Sequence, residues 1–226
     1  MNRVLPILFN TEMVQAILDG RKSCTRRLMK PQPQSKLCYT FAGSDTGTWG
    51  YPDKTAHEIW GEEYKLQDDI TKDELNKRWN PPYHTDDILY VRETWCGLPV
   101  NEAGHMRGHT IYYYKADGEL RPEGWRGAWK PSIHMPKKAA RIWLQVTGVR
   151  VERLQQITEV GIRKEGIEVN PNECAGKFDF ISELFFLFQR LWDSTIKKCD
   201  FDRYGWESNP YVWVIEFEQC EKPEGV

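Results

Sequence analysis

Between Ala140 and Arg153 the apolar residues Ile142, Leu144, Val146, Val149 and Val151 follow the two-residue repeat of an extended chain, with one slip around Gly148. The repeat predicts the longest strand in the protein, and the slip predicts a bulge or bend within it. Other strands are expected at Leu5 to Phe9, Thr25 to Met29, Ile88 to Trp95, Thr110 to Lys115 and Tyr211 to Glu218, the last carrying Val212, Val214, Ile215 and Phe217. A chain with this pattern must bury several strands against one another, so strand pairing governs the fold.

Helices are fewer. Asn10-Thr11 offers an N-cap, Met13, Ala16, Ile17 and Leu18 form an apolar stripe, and Gly20 supplies a stop. A second, short helix is expected from Thr158 to near Gly166. A third, from Phe178 to Ile196, carries Leu184, Phe185, Leu187, Phe188, Leu191 and Trp192, an aromatic stripe of the kind that packs a core. The expected class is α+β, a small mixed β-barrel with helices at its sides. Two stretches interrupt it: about 31–84, which its composition marks, and about 101–123, which is set apart only by falling outside a family resemblance. The first is rich in Pro, Gly, Asp and Lys, contains the acidic positions Glu62, Glu63, Asp68, Asp69, Asp73 and Glu74, and is expected to be partly helical around Lys72 to Trp79. At 226 residues with 40% apolar content, residues 1–226 read as one domain with surface insertions.

A net charge of -2 and a pI near 6.2 argue against a protein that coats nucleic acid by charge alone. Any such contact must come from a local patch. The six cysteines, Cys24, Cys38, Cys96, Cys174, Cys199 and Cys220, show no C-x-x-C spacing, and the N-terminus lacks a signal-peptide apolar run. A reduced, cytoplasmic protein is expected, with no membrane span. His105 and His109 lie among glycines without a third ligand in step, so neither metal nor cofactor is expected.

Two regions concentrate chemistry. Gly20-Arg21-Lys22-Ser23-Cys24-Thr25-Arg26-Arg27 packs a lysine, two hydroxyls, a thiol and three arginines just past the first helix. A threonine hydroxyl needs a base to become a nucleophile, and a lysine serves when burial or neighbouring cations favour its neutral form. Three-residue spacing on a regular strand puts Lys22 and Thr25 on opposite faces, so the two meet only if Lys22 lies in the turn after Gly20. On spacing alone, a phosphate-contacting lysine beside a structural threonine fits as well. A carboxylate would complete the site, and Glu93 and Glu165 are both candidates. The second region, between Glu123 and Glu152, carries Arg126, Lys130, Lys137, Lys138, Arg141 and Arg150 with no Asp or Glu, interleaved with Trp125, Trp129, His134 and Trp143. Cations pair with phosphates while indole or imidazole faces stack on unpaired bases. Trp143 is expected in the core. Trp129, in a loop stiffened by Pro131 and Pro136, is expected to touch ligand together with Lys130 and His134.

The motif G-x-K-x-x-T-x-R formed by Gly20 to Arg27 resembles that of the ASCH domains, a branch of the PUA-like superfamily. Further resemblance lies in Asp87-Ile88-Leu89-Tyr90-Val91 before Arg92-Glu93-Thr94-Trp95, in Ile157-Thr158-Glu159 running to Glu165-Gly166-Ile167, and in Val212-Trp213-Val214-Ile215-Glu216-Phe217. With Trp129 to Pro136 included, the chain looks like the larger ASCH proteins of bacterial and prophage genomes. The resemblance implies a β-barrel with flanking helices and a cleft for RNA or a modified nucleobase. One branch with similar motifs, the N4-acetylcytidine amidohydrolases, uses a lysine, a threonine and a glutamate that fall on Lys22, Thr25 and Glu165. The size, the insertions, Trp129 and His134 depart from that branch.

Three functions follow as expectations. In the first, Lys22 deprotonates Thr25, the alkoxide attacks an acyl-amide carbonyl on a nucleobase, Glu165 orients Lys22 or helps water, and Arg26 or backbone amides steady the oxyanion. In the second, Arg21, Lys22, Arg26, Trp129, Lys130 and His134, with Glu93 beside them, hold RNA or a modified base without chemistry. In the third, His134 and Lys22 act as acid and base of a metal-independent ribonuclease.

Overall fold

A computed structural model describes residues 3–30, 32, 38–40, 48–50, 81–100, 109–118, 127–169 and 180–225. Five strands form the main sheet: β1 (Val4–Leu8), β2 (Cys24–Leu28), β5 (Ile88–Arg92), β8 (Trp143–Arg153) and β9 (Tyr211–Cys220). Their order is β1-β5-β8-β9-β2, with β1 parallel to β5 and every other pair antiparallel. The long pairing of β8 with β9 runs from Trp143 opposite Cys220 to Arg153 opposite Tyr211, and its register slips between Val146 and Gly148, where the sequence repeat breaks.

The sheet is mixed and is not closed into a barrel, contrary to the expected architecture. Its outer strands β1 and β2 make no ladder with each other among the described residues. Strand repeats report which face is apolar and carry no information about whether two edges meet, which is why closure was not legible. The expected strand Ile88 to Trp95 also divides. β5 ends at Arg92, the chain turns through Glu93 and Thr94, and β6 (Trp95–Val100) pairs with β7 (His109–Tyr114) in a separate antiparallel hairpin. The segment Thr110 to Lys115 therefore extends this hairpin instead of the main sheet. A short pair, β3 (Cys38–Thr40) with β4 (Thr48–Gly50), falls within the first expected insertion. The expected helix around Lys72 to Trp79 lies outside the described residues.

Layers of side chains cover both faces of the sheet. Along β9, Tyr211, Trp213, Ile215 and Phe217 enter one core with Val14 and Ile17 of α1 (Thr11–Leu18), while Val212 and Val214 enter another. The second core contains Ile162 of α2 (Glu159–Lys164) and Leu184, Phe188 and Trp192 of α3 (Phe180–Thr195). Burial on both faces explains why β9 reads as a nearly continuous apolar run. A final short helix, α4 (Phe201–Tyr204), leads into β9. Both expected helix starts occur: the Asn10 side chain accepts from the Met13 amide at 2.8 Å, and the Thr158 hydroxyl accepts from Gly161 at 3.2 Å. Among the described residues, no helix is long and apolar enough to cross a membrane.

Candidate functional site

After α1 the chain turns through Gly20 at φ 73°, and the Arg21 and Lys22 amides both donate to the Ala16 carbonyl, at 2.8 and 2.9 Å. Lys22 thus sits in the turn, one residue before Ser23 and the start of β2, which satisfies the geometric condition read from the motif. Its backbone bridges that of Glu165, the C-cap residue of α2, and the Ser23 amide donates to the Lys164 carbonyl at 2.9 Å. The helix end can approach so closely because Gly166 follows at φ 87°: a Cβ there would lie 2.6 Å from that of Ala16 and 3.0 Å from that of Lys22. Gly161 plays a related part, since a Cβ would stand 3.1 Å from Nη2 of Arg26.

The Lys22 side chain is fully buried, and its Nζ donates to Glu165 Oε2 at 2.7 Å, the Cys24 carbonyl at 2.8 Å and the Glu165 carbonyl at 2.9 Å. Three acceptors match the three N–H bonds of an ammonium group. The other Glu165 oxygen, Oε1, accepts from Arg26 Nη1 at 3.1 Å, and Arg26 Nη2 donates to Glu152 at 3.2 Å. One carboxylate therefore spans two buried cations. Ion pairs continue outward from Glu152 to Arg150 at 2.6 Å, from Arg150 to Glu216 at 3.0 Å and from Glu216 to Lys164 at 3.5 Å. Burial pushes the Glu216 carboxyl up, but Arg150 and Lys164 outweigh it and hold the group below its ordinary value. The Cys24 thiol, buried beside the Glu165 charge, is pushed up to about 12, which keeps it protonated at neutral pH.

Arg26 and Glu165 of this cluster form the floor of a cavity of about 300 Å³ along the edge of β2 that no other described strand pairs. Thr25, Arg26 and Glu165 are its buried polar members; the buried Phe188 and Trp192 of α3 and Tyr204 of α4 supply aromatic wall; Lys30 and Lys197 are exposed, and Arg27 and Asp200 are half-buried. The volume is at the small end for ligand pockets. Antiparallel ladders alternate, and the Phe217 amide donates to the Ser23 carbonyl, so Thr25 and Arg27 turn their backbone groups toward β9. Cys24, Arg26 and Leu28 turn theirs to the open edge. Lys22 Nζ occupies the Cys24 carbonyl, which leaves the backbone N–H and C=O of Arg26 facing the cavity. Thr25 and Arg27 share the other strand face, where Lys22 Nζ and the Arg27 guanidinium each lie 5.4 Å from the Phe9 ring. Thr25 is only 1% exposed.

Other residues expected at one site are elsewhere. Glu93 accepts two hydrogen bonds from Arg141, at 2.9 and 3.1 Å, and Arg141 also pairs with Asp117 at 2.8 Å and lies 4.0 Å over the Tyr114 ring. Burial raises the Glu93 pKa more than Arg141 lowers it. This residue ties the end of β5 to the segment entering β8 and does not line the cavity. The Trp129 loop docks on the hairpin: Trp95 and Lys130 exchange backbone hydrogen bonds at 3.1 and 2.8 Å, and Lys130 Nζ lies 4.9 Å over the Trp95 ring. His134 is exposed on a turn of that loop, Lys22 is fully buried, and His134 is not among the residues that line the cavity. Arg21 donates to the Gly166 carbonyl at 2.8 Å and to Asp19 at 2.7 Å, beside a separate surface depression. Of the proposed residues, Thr25, Arg26 and Glu165 line the cavity, and Lys22 stands directly behind Glu165.

Sequence reading missed Glu152, Lys30, Lys197 and Tyr204. It also assigned Phe188 and Trp192 to core alone, whereas both are core residues and cavity wall. Helical spacing marks the apolar face and says nothing about which end of that face remains open. Compared with protein-family models, curated proteins and solved structures, the chain has no match.

Proposed function

We propose that the protein is an ASCH-type, PUA-like amidohydrolase that removes an acyl group from the exocyclic amine of a nucleobase, an N4-acetylcytidine-like substrate. The observation that carries this reading is the Glu165 carboxylate, hydrogen-bonded to Lys22 and Arg26 on the floor of a cavity that Thr25 also lines. Aromatic walls suit a planar base, and the open strand edge at Arg26 offers the backbone donor and acceptor that a base edge requires.

Lys22 Nζ donates to Glu165 Oε2 at 2.7 Å, so its role as base begins with a proton shift from Nζ to Oε2 across that hydrogen bond. The neutral amine then takes the Thr25 hydroxyl proton as Oγ1 bonds to the acyl carbon. The carbonyl π pair moves to oxygen, to which the Arg26 backbone amide donates in this scheme. Collapse of the intermediate breaks the C–N bond, the base nitrogen leaves with the proton carried by Lys22, and water hydrolyses the acyl-threonine ester. Incubation with N4-acetylcytidine tests the scheme. Release of cytidine and acetate that is abolished in Thr25→Ala and Lys22→Ala is expected, whereas turnover unaffected by both substitutions sinks the assignment.

A binding-only reading is favoured by one specific observation, the complete hydrogen-bond saturation of Lys22 Nζ. Under it, nucleoside affinity persists in wild type without any acyl release.

A further inference from the structure

Charge is distributed unevenly over the cavity. At the floor, Glu165 is matched by Lys22 and Arg26. Beyond the floor the lining carries Arg27, Lys30 and Lys197, with Asp200 as its one carboxylate there, and none of the three cations forms an ion pair among the described residues. Arg27 is the most telling. Its guanidinium donates to the Leu8 carbonyl at 2.9 Å and is half-buried, yet no carboxylate among the described residues pairs with it. Carboxylate partners raise the pKa of Arg3, Arg141 and Arg150. For Arg27, burial prevails and the shift is downward, with Tyr83 and Glu165 offsetting only part of it. A cation held in a crowded neighbourhood without a counter-ion gains most from an arriving anion. Lys30 is steadied nearby, its Nζ 4.9 Å over the Tyr204 ring.

We infer that the cavity takes a nucleotide rather than a bare nucleoside, with a phosphate held by Arg27, Lys30 and Lys197 and the base directed to Thr25, Arg26 and Glu165. The inference rests on reading the floor as a nucleobase site, but it is independent of whether acyl hydrolysis follows. A phosphate suits this rim because it accepts several charge-assisted hydrogen bonds at once. The phosphate belongs either to a free nucleotide or to the backbone of a single strand.

Calorimetry on the intact chain tests it with cytidine, cytidine 5′-monophosphate and a short cytidine-containing RNA lacking a terminal phosphate. A phosphorylated ligand is expected to bind about tenfold or more tightly than cytidine at low salt, with the advantage shrinking as salt rises. The exposed side chains make Lys30→Ala with Lys197→Ala a safe variant for folding. In it, cytidine affinity is expected to stay within about twofold of wild type while the phosphate advantage disappears. Gain with the monophosphate alone identifies a free nucleotide, and gain with the RNA identifies a backbone phosphate. Equal affinity for all three ligands, no binding of any, or an advantage untouched by the double substitution overturns the inference. Hydrolysis of N4-acetylcytidine without any phosphate preference would leave the catalytic reading standing and this one refuted; phosphate preference without hydrolysis would do the reverse.

Discussion

Replacing Glu165 with glutamine leaves Lys22 as a buried cation with no carboxylate. In the wild type the two side chains are 0% and 4% exposed and 2.7 Å apart, and no other carboxylate contacts Lys22 among the described residues. Arg26 fares better, because Glu152 still reaches it at 3.2 Å. A glutamine oxygen can accept one of the lost hydrogen bonds, and the Cys24 and residue-165 carbonyls retain theirs, so the deficit is electrostatic. Removing one partner of a buried ion pair costs about 3–5 kcal/mol. For a chain of this size that corresponds to a Tm lower by about 6–20 °C. Adding Lys22→Met removes the stranded charge in favour of an apolar chain of similar length, and most of the loss is expected to return. Chemical denaturation of wild type, Glu165→Gln, Lys22→Met and the double variant completes the cycle. A Glu165→Gln penalty below about 1 kcal/mol, or no recovery in the double variant, refutes the argument that this pair is buried and coupled.

Gly166→Ala places a Cβ 2.6 Å from that of Ala16 at a φ of 87°, and is expected to destabilise by about 2–4 kcal/mol, read as a shifted denaturation midpoint. Glu93 supplies a pH dependence of defined sign. Burial raises its folded pKa above the ordinary 4.5, so the stability it contributes is fully present below that value and is lost as pH rises through the raised one. Glu93→Gln should therefore flatten the stability profile above about pH 4.5; an unchanged slope counts against the shift. Trp129→Ala combined with Lys130→Ala, away from the cavity, is expected to leave cytidine affinity within about twofold of wild type in a calorimetric titration. A tenfold loss would restore that loop to the site.

Much of the fold was legible because its signals are local. The Asn10 and Thr158 caps, the glycine stop at Gly20 and the slip near Gly148 each depend on a few adjacent residues, and each is found in place. The turn that holds Lys22 ahead of β2 was legible as the condition for its meeting Thr25, since Gly20 permits it; its approach to Glu165 was not legible from spacing. What failed were statements about distant pairing. The β-branched and aromatic content of Ile88 to Val91 resumes at Thr94 and Trp95 with only Arg92 and Glu93 between, so composition alone did not mark the corner between β5 and β6. Nothing in the strand repeats told whether β1 and β2 close a barrel. The basic, aromatic loop around Trp129 had the composition of a ligand site, but Lys130 spends its charge over Trp95. Conversely, Lys30 and Lys197 stand 167 positions apart and join one cavity only because α3 ends over the edge of β2.

In the proposed mechanism Thr25 Oγ1 is the atom that receives the acyl group. Rapid mixing of the protein with N4-acetylcytidine, acid quench and peptide mass mapping tests that directly. Acetylation of the peptide bearing Thr25 in wild type, absent in Thr25→Ala and accumulating where hydrolysis of the ester is slowed, is the predicted result. Cytidine release at the same rate in Thr25→Ala, or no cytidine release at all from the wild type, contradicts it.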